Sequence, residues 1–333
     1  MLHINNNINF ILAASLLITF TACGGGGGSS SSPSSVVNSI SFSGIAVDGY
    51  IRNATACLDT NINGVCDNGE PTTETLIDGT FTFSDVEVTD GVLMPVIISG
   101  GFDTATGKVF TGKLSNIINT TDIAQNISFS VSPLSDLVAA SFLASNDKSD
   151  TVLQTIKLNV ANSLGLSVEK VDADPMQNKE VFAKAQEIQQ IKELMLTSAN
   201  KGANVIKGST ESKALEISIA RAVASAIQVN GRLSPADAIA KFEELESSIT
   251  IPANEKEFIA LQVTEIANSL SDMVADVSVS MDDLDQEQGN LEDIVEVASS
   301  NIASATQNSA ITVVTENTPL VSIIPTPPAP PVL

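Results

Sequence analysis

The chain has 333 residues, 39 of them Asp or Glu against 16 Lys or Arg, for a formal charge of −23. That balance excludes a protein held to nucleic acid or to an anionic membrane by its own charge, since both need cationic groups that displace counterions. Hydrophobic residues make up 43%, enough to bury cores in about two domains, so this is no disordered acidic polymer.

The run from Phe10 to Phe20 is apolar but too short to span a bilayer, and small residues follow it, which predicts a secretory signal over residues 1–22. The only His, His3, falls inside it. Cys23, directly after Thr21-Ala22, resembles the lipobox cysteine of bacterial lipoproteins. The resemblance implies that Cys23 becomes the first residue, carries a diacylglycerol and often a palmitate-type acyl chain on its amine, and so anchors the protein to the membrane. The lack of Asp after Cys23 then implies outer-membrane sorting, with the periplasmic or external face left open. An ordinary cleaved signal with a free Cys23 is the alternative. Residues 23–38 are mostly Gly and Ser and read as a flexible tether.

Residues 39–131 are rich in Val, Ile, Thr and Phe, broken at short intervals by Gly, Asp and Asn, and predict an antiparallel β-sandwich. Strands are expected over Ser41–Val47, Ala54–Leu58, Thr80–Phe83, Val92–Ser99 and Ile127–Val131. Asp78-Gly79 supplies the turn before the alternating Phe81 and Phe83.

The strongest chemical motif runs from Asp59 to Glu70. Counted from Asp59, it places oxygen ligands on Asp59, Asn61, Asn63, Asp67 and Glu70, the Val65 carbonyl at position 7, and Gly64 at the sharp turn. Those are the spacings of a calcium loop, in which a hard cation collects six to eight oxygens. Strand-like residues before it and Pro71 after it exclude a helix-loop-helix sensor, so the expectation is a weakly bound structural calcium. A polar Asn/Asp/Gly turn without a metal is the alternative. Cys57 and Cys66 bracket the first half of the loop, and in an exported chain they are expected to pair, two free buried thiols being the alternative.

Val47-Asp48-Gly49-Tyr50-Ile51, Ala54 to Asp59, the Asn61–Gly64 core, Asp67 to Pro71 and Asp78 to Phe81 together resemble calcium-loaded β modules of bacterial surface proteins. These are the B-type repeats of serine-aspartate adhesins and the carboxypeptidase-regulatory-like, prealbumin-type sandwiches. The resemblance implies a sandwich of about seven strands used as a spacer or adhesive module. Gly100 to Gly107 resembles a segment that follows such modules in large secreted proteins, and reads equally well as a polar turn.

After Val131 the apolar period lengthens to three or four residues, predicting an all-α helical bundle over residues 132–315 and an α+β, multidomain chain overall. Ser132-Pro133 and Ser234-Pro235 are helix starts. Apolar stripes run through Val181–Met195, Leu215–Ile227, Ile239–Ile249, Ile259–Val274 and Leu291–Ile302. The acidic run from Asp282 to Glu287 reads as a helix start or solvated loop. Residues 316–333 form a Pro-rich tail.

Without a mature His or a free Cys, most hydrolytic constellations are unavailable, and scarce aromatics argue against a sugar cleft. The expectation is a non-enzymatic envelope lipoprotein acting in adhesion or scaffolding, with an unknown protein partner, the membrane as anchor and no nucleic acid. The alternatives are a periplasm-facing accessory subunit of an envelope assembly, and an acidic hydrolase using a carboxylate pair.

Overall fold

A computed structural model describes residues 37–89, 91–123, 129–226, 233–307 and 309–315. The expected signal, Cys23, the tether up to residue 36, Ile127, Ile227 and the Pro-rich tail lie outside the described residues.

Strand β1 (Val37–Ala46) begins two residues inside the stretch assigned to the tether and pairs antiparallel with β5 (Thr80–Thr89). Phe42, Gly44 and Ala46 turn inward and Ser41 and Ser43 outward, as a half-buried strand requires. β5 would lose this phase halfway, because Phe81 and Phe83 are two apart but Val86 is three further on. A bulge opposite Ser41 absorbs the extra residue: Asp85 takes a left-handed φ of 52° and donates its N–H to Ser41 Oγ at 2.9 Å. Phe81, Phe83, Val86 and Val88 are all buried as a result. β9 (Ser130–Val131) adds to the other edge of β1 in parallel, which corrects the expectation of a purely antiparallel β region.

The second sheet has the order β4-β3-β6-β8, all antiparallel, from β3 (Thr55–Leu58), β4 (Thr72–Glu74), β6 (Leu93–Ser99) and β8 (Lys113–Asn119). A two-residue pair, β2 (Ile51–Arg52) with β7 (Phe102–Asp103), stands apart. One apolar cluster joins Phe42, Phe81, Phe83 and Phe129 to Leu58, Val96, Ile98, Leu114 and Ile118 of the second sheet. The rings of Phe42 and Phe83 stack at 5.0 Å, and Phe81 meets Phe129 edge to face at 6.0 Å. Gly44 lets them close: a Cβ there would lie 2.6 Å from Phe81 and 2.8 Å from Phe129.

The opposite face of β6 and β8 belongs to a different core. Leu93 and Ile117 join Leu134, Leu137, Val138 and Phe142 of α2 (Pro133–Ala144), so the second sheet is covered on both faces. Ser132 caps α2 as expected, its N–H donating to Ser135 Oγ at 2.9 Å in a capping box. The same core runs through α3 (Asp150–Leu164), α4 (Lys179–Ala203), α5 (Thr210–Ala226), α6 (Pro235–Leu245), α7 (Ala253–Ala275) and α8 (Leu284–Ser304). A four-residue α1 (Thr120–Ile123) follows β8. The buried residues of α4 include Val181, Ala185, Ile188, Ile191 and Met195, the expected stripe, and the stripe of α8 is buried likewise. The acidic run from Asp282 is a short 3-10 turn at Met281–Asp283 leading into α8.

The architecture is α+β, with sheets and eight helices among the described residues, which fall in one compact unit. No described helix is long and apolar enough to cross a membrane. Phe81→Ala removes the ring at the centre of the aromatic group. It is expected to cost about 3–5 kcal/mol in denaturant unfolding, as a cavity left by a buried aromatic does.

Candidate functional site

The Asp59–Glu70 loop leaves β3 and returns at β4. Asp59 is wholly buried, its N–H donating to the Pro95 carbonyl of β6 at 2.9 Å. Its carboxylate accepts the N–H groups of Asn63 at 3.2 Å and Gly64 at 2.7 Å. Burial raises the Asp59 pKa, those N–H donors oppose the rise, and Glu70 adds to it. The Asn61 and Asn63 amides both donate to Asp67 Oδ2, at 2.8 and 2.7 Å, so the side chains at positions 3, 5 and 9 meet at one point. Gly64 is needed where it stands, at φ 81° with Leu143 Cδ1 3.1 Å from where a Cβ would be.

Glu70 behaves differently from the expected bidentate ligand. Its Oε1 accepts from Thr60 N at 2.7 Å and its Oε2 from Asp67 N at 2.9 Å, so both oxygens hold backbone. The Val65 side chain points outward, half exposed, while its N–H donates to Asn63 Oδ1 at 2.8 Å. Cys57 and Cys66 form a disulfide that ties the loop's middle to β3. With Glu70 they make the one group of three metal-type side chains found within 4.8 Å among the described residues, but bonded sulfurs do not ligate. The loop therefore gathers Asp59, Asn61, Asn63 and Asp67 and closes on itself through amide donors.

A second feature escapes sequence reasoning. A cavity of about 430 Å³ opens between the Asp103–Gly112 segment and helices α4, α5 and α8. Asp48, Asp103, Lys192, Glu216 and Glu292 line it. Asp103 is fully engaged: its Oδ1 accepts from Ala105 N at 2.7 Å, and its Oδ2 accepts from Gly49 N at 3.2 Å and Gln288 Nε2 at 2.6 Å. Asp48, 5% exposed, keeps its Oδ1 buried without a hydrogen-bond partner. Lys192, buried on α4, pairs with Asp136 of α2 at 2.7 Å.

The charges shift one another. Burial, then Asp103 and Glu292, drive the Asp48 pKa well above the carboxylate range. Burial also raises Asp103 and Glu216. Glu292 is pushed up to about 7 by burial and by Asp103, against Lys108, Gln288 and Thr106. Burial works against the Lys192 ammonium, but Asp136, Glu216 and Asp48 outweigh it and raise its pKa.

Asp48 lies in the Val47–Ile51 run and Asp103 in Gly100–Gly107, which reads as a polar turn, and neither segment marks a buried carboxylate in the sequence. Glu292 sits one residue beyond Leu291 in an amphipathic helix, with nothing local to distinguish it from a solvated acid. No protein-family model, curated protein or solved structure matches the chain.

Glu292 supplies a pH test. A carboxyl whose folded pKa is about 7 against an unfolded 4.5 keeps its proton in the native state while the unfolded chain loses it. Stability therefore falls as pH rises from about 4.5 to 7. Glu292→Gln removes that term: relative to the parent its melting temperature is expected to be higher at pH 8 than at pH 5. An unchanged difference across this range would remove Glu292 as the source.

Proposed function

We propose that the chain is an extracytoplasmic, non-enzymatic envelope lipoprotein, anchored through Cys23 and acting in surface adhesion or scaffolding. In this reading it comprises a β-sandwich with a structural calcium loop followed by a helical bundle. The observation that carries the proposal is the Cys57–Cys66 disulfide around the Asp59–Glu70 loop. Such a bond persists in oxidising compartments, and closing so short a loop contributes about 2–3 kcal/mol while holding the ligand residues in register.

The loop suits a cation in a specific way. Rotating the Asn61 and Asn63 amides by half a turn replaces two N–H donors facing Asp67 Oδ2 with two carbonyl oxygens, at the loss of the Asn63 and Val65 N–H bonds those oxygens now accept. Three oxygens then point at one another, an arrangement that a hard cation stabilises and that is repulsive without one. Asp59 and the Val65 carbonyl would complete the cup, and Glu70 would bind only by giving up its backbone donors.

Thermal unfolding with calcium and with chelator tests this. Millimolar calcium is expected to raise the melting temperature, since a ligand held only by the native state stabilises it, and Asp59→Ala should abolish the rise. No shift in the parent would leave the loop a polar turn. Protease treatment of whole cells then separates the scaffold from a periplasm-facing accessory subunit, because only an outward-facing protein is cleaved.

The hydrolase reading is the weaker one. Asp103, the carboxylate whose charge most raises Glu292, has its oxygens taken up by backbone N–H groups and Gln288. It is therefore poorly placed to activate a water or attack a substrate.

A further inference from the structure

We infer that the cavity between the Asp103–Gly112 segment and helices α4, α5 and α8 is a binding site for a small organic cation, an amine or guanidinium on a short aliphatic stem. The inference is independent of the calcium loop and of the membrane anchor.

The first support is a buried charge imbalance. Asp48, Asp103, Asp136 and Glu216 are all buried at or beside the cavity, against the ammonium groups of Lys192 and Lys113. Lys192 is committed to Asp136, and Lys113 Nζ is turned away to the Gly64 carbonyl at 3.3 Å. Of the other lysines lining it, Lys108 is paired with Asp293 and Glu296 and Lys207 with Glu193, while Lys213 is exposed to solvent.

The second support is Asp48 itself. It lines the cavity at 5% exposure, its Oδ1 is buried without a partner, and a carboxylate so poorly served by donors gains from a cationic group brought against it. Gln189 Oε1 and Ser299 Oγ, also at the cavity, lack partners as well.

Size and lining select the class of ligand. About 430 Å³ is the scale of a small-molecule pocket and far more than one ion needs. Among the described residues no three carboxylates converge here within 4.8 Å to form a metal shell. Phe110, Leu196 and Val295 supply an apolar wall against which an aliphatic stem would lie while its cationic head reaches Asp48 and Glu292.

Calorimetry on the full chain, in chelator so that the loop contributes nothing, tests the inference with butylamine and agmatine as probes and 1-butanol as the neutral control. One or both cations are expected to bind saturably with a dissociation constant below about 1 mM, and 1-butanol at least tenfold more weakly. Asp48→Asn should weaken binding about tenfold or more. Ser299→Lys, which places a tethered ammonium in the cavity, should block binding and raise the melting temperature. The inference is overturned if neither cation binds at about 10 mM, if 1-butanol binds as well as butylamine, or if Asp48→Asn and Ser299→Lys, both folded by circular dichroism, bind like the parent. In a separate titration of Asp59→Ala without chelator, calcium or magnesium binding that Asp48→Asn removes and neither amine displaces would overturn it in favour of a metal site.

Discussion

Lys192 is the buried ammonium on which the joint between sheet and helices depends. From α4 it reaches Asp136 of α2 at 2.7 Å, and the other oxygen of Asp136 accepts from Ser115 Oγ of β8 at 2.7 Å. Ser135 of α2 donates in turn to the Ser115 carbonyl at 3.0 Å, and Glu216 of α5 accepts the Lys113 N–H at 3.0 Å. Three helices are thereby set against one strand by charged and polar groups. Removing one partner of such a pair strands the other charge in a dry interior, at a cost of about 3–5 kcal/mol. The apolar contacts of Leu93 and Ile117 with α2 provide the burial, while the polar joint fixes the orientation.

The same joint explains why the cavity is acidic. Lys192 is shared among Asp136, Glu216 and Asp48, and burial pushes the Glu216 and Asp48 carboxyls up despite it. Burial raises Asp103 too, but the turn after β7 wraps N–H groups around it and Gln288 reaches in from α8. Asp48 has no such wrapping on Oδ1. Two acids near each other in the fold thus differ: one shapes a turn, the other keeps a buried oxygen without a partner.

The Asp59–Glu70 loop shows the opposite economy. Nearly every polar side chain in it has a partner within the loop, and Asp59 is anchored to β6 through its own N–H. Its strained point is Ile62 at φ 60°, since a β-branched residue in that region persists only where its surroundings hold it, whereas Gly64 at φ 81° sits there freely. The disulfide supplies part of that constraint.

Much of the fold was legible in the sequence because the signals were local. Period-two alternation marked β1 and the start of β5, capping serines marked α2 and α6, and apolar stripes marked α4, α5, α7 and α8. β8 was missed because Lys113, Ser115 and Asn116 are polar yet buried, and hydrogen-bond to partners elsewhere in the chain such as Ser130, Asp136 and Glu216. The β5 bulge was hidden for a related reason: its logic lies in the register with β1. The side chains of the Asp59–Glu70 loop could be named in advance, since they are close in sequence. The cavity could not, because Asp48, Asp103 and Glu292 come together only when a turn, a short β pair and a helix near the chain's end are packed. Local spacing was enough for most of the elements, the net charge and the self-contained loop. Only the tertiary structure decided which carboxylates lose water and which find a partner, because desolvation depends on what is packed against a group and not on its neighbours along the chain.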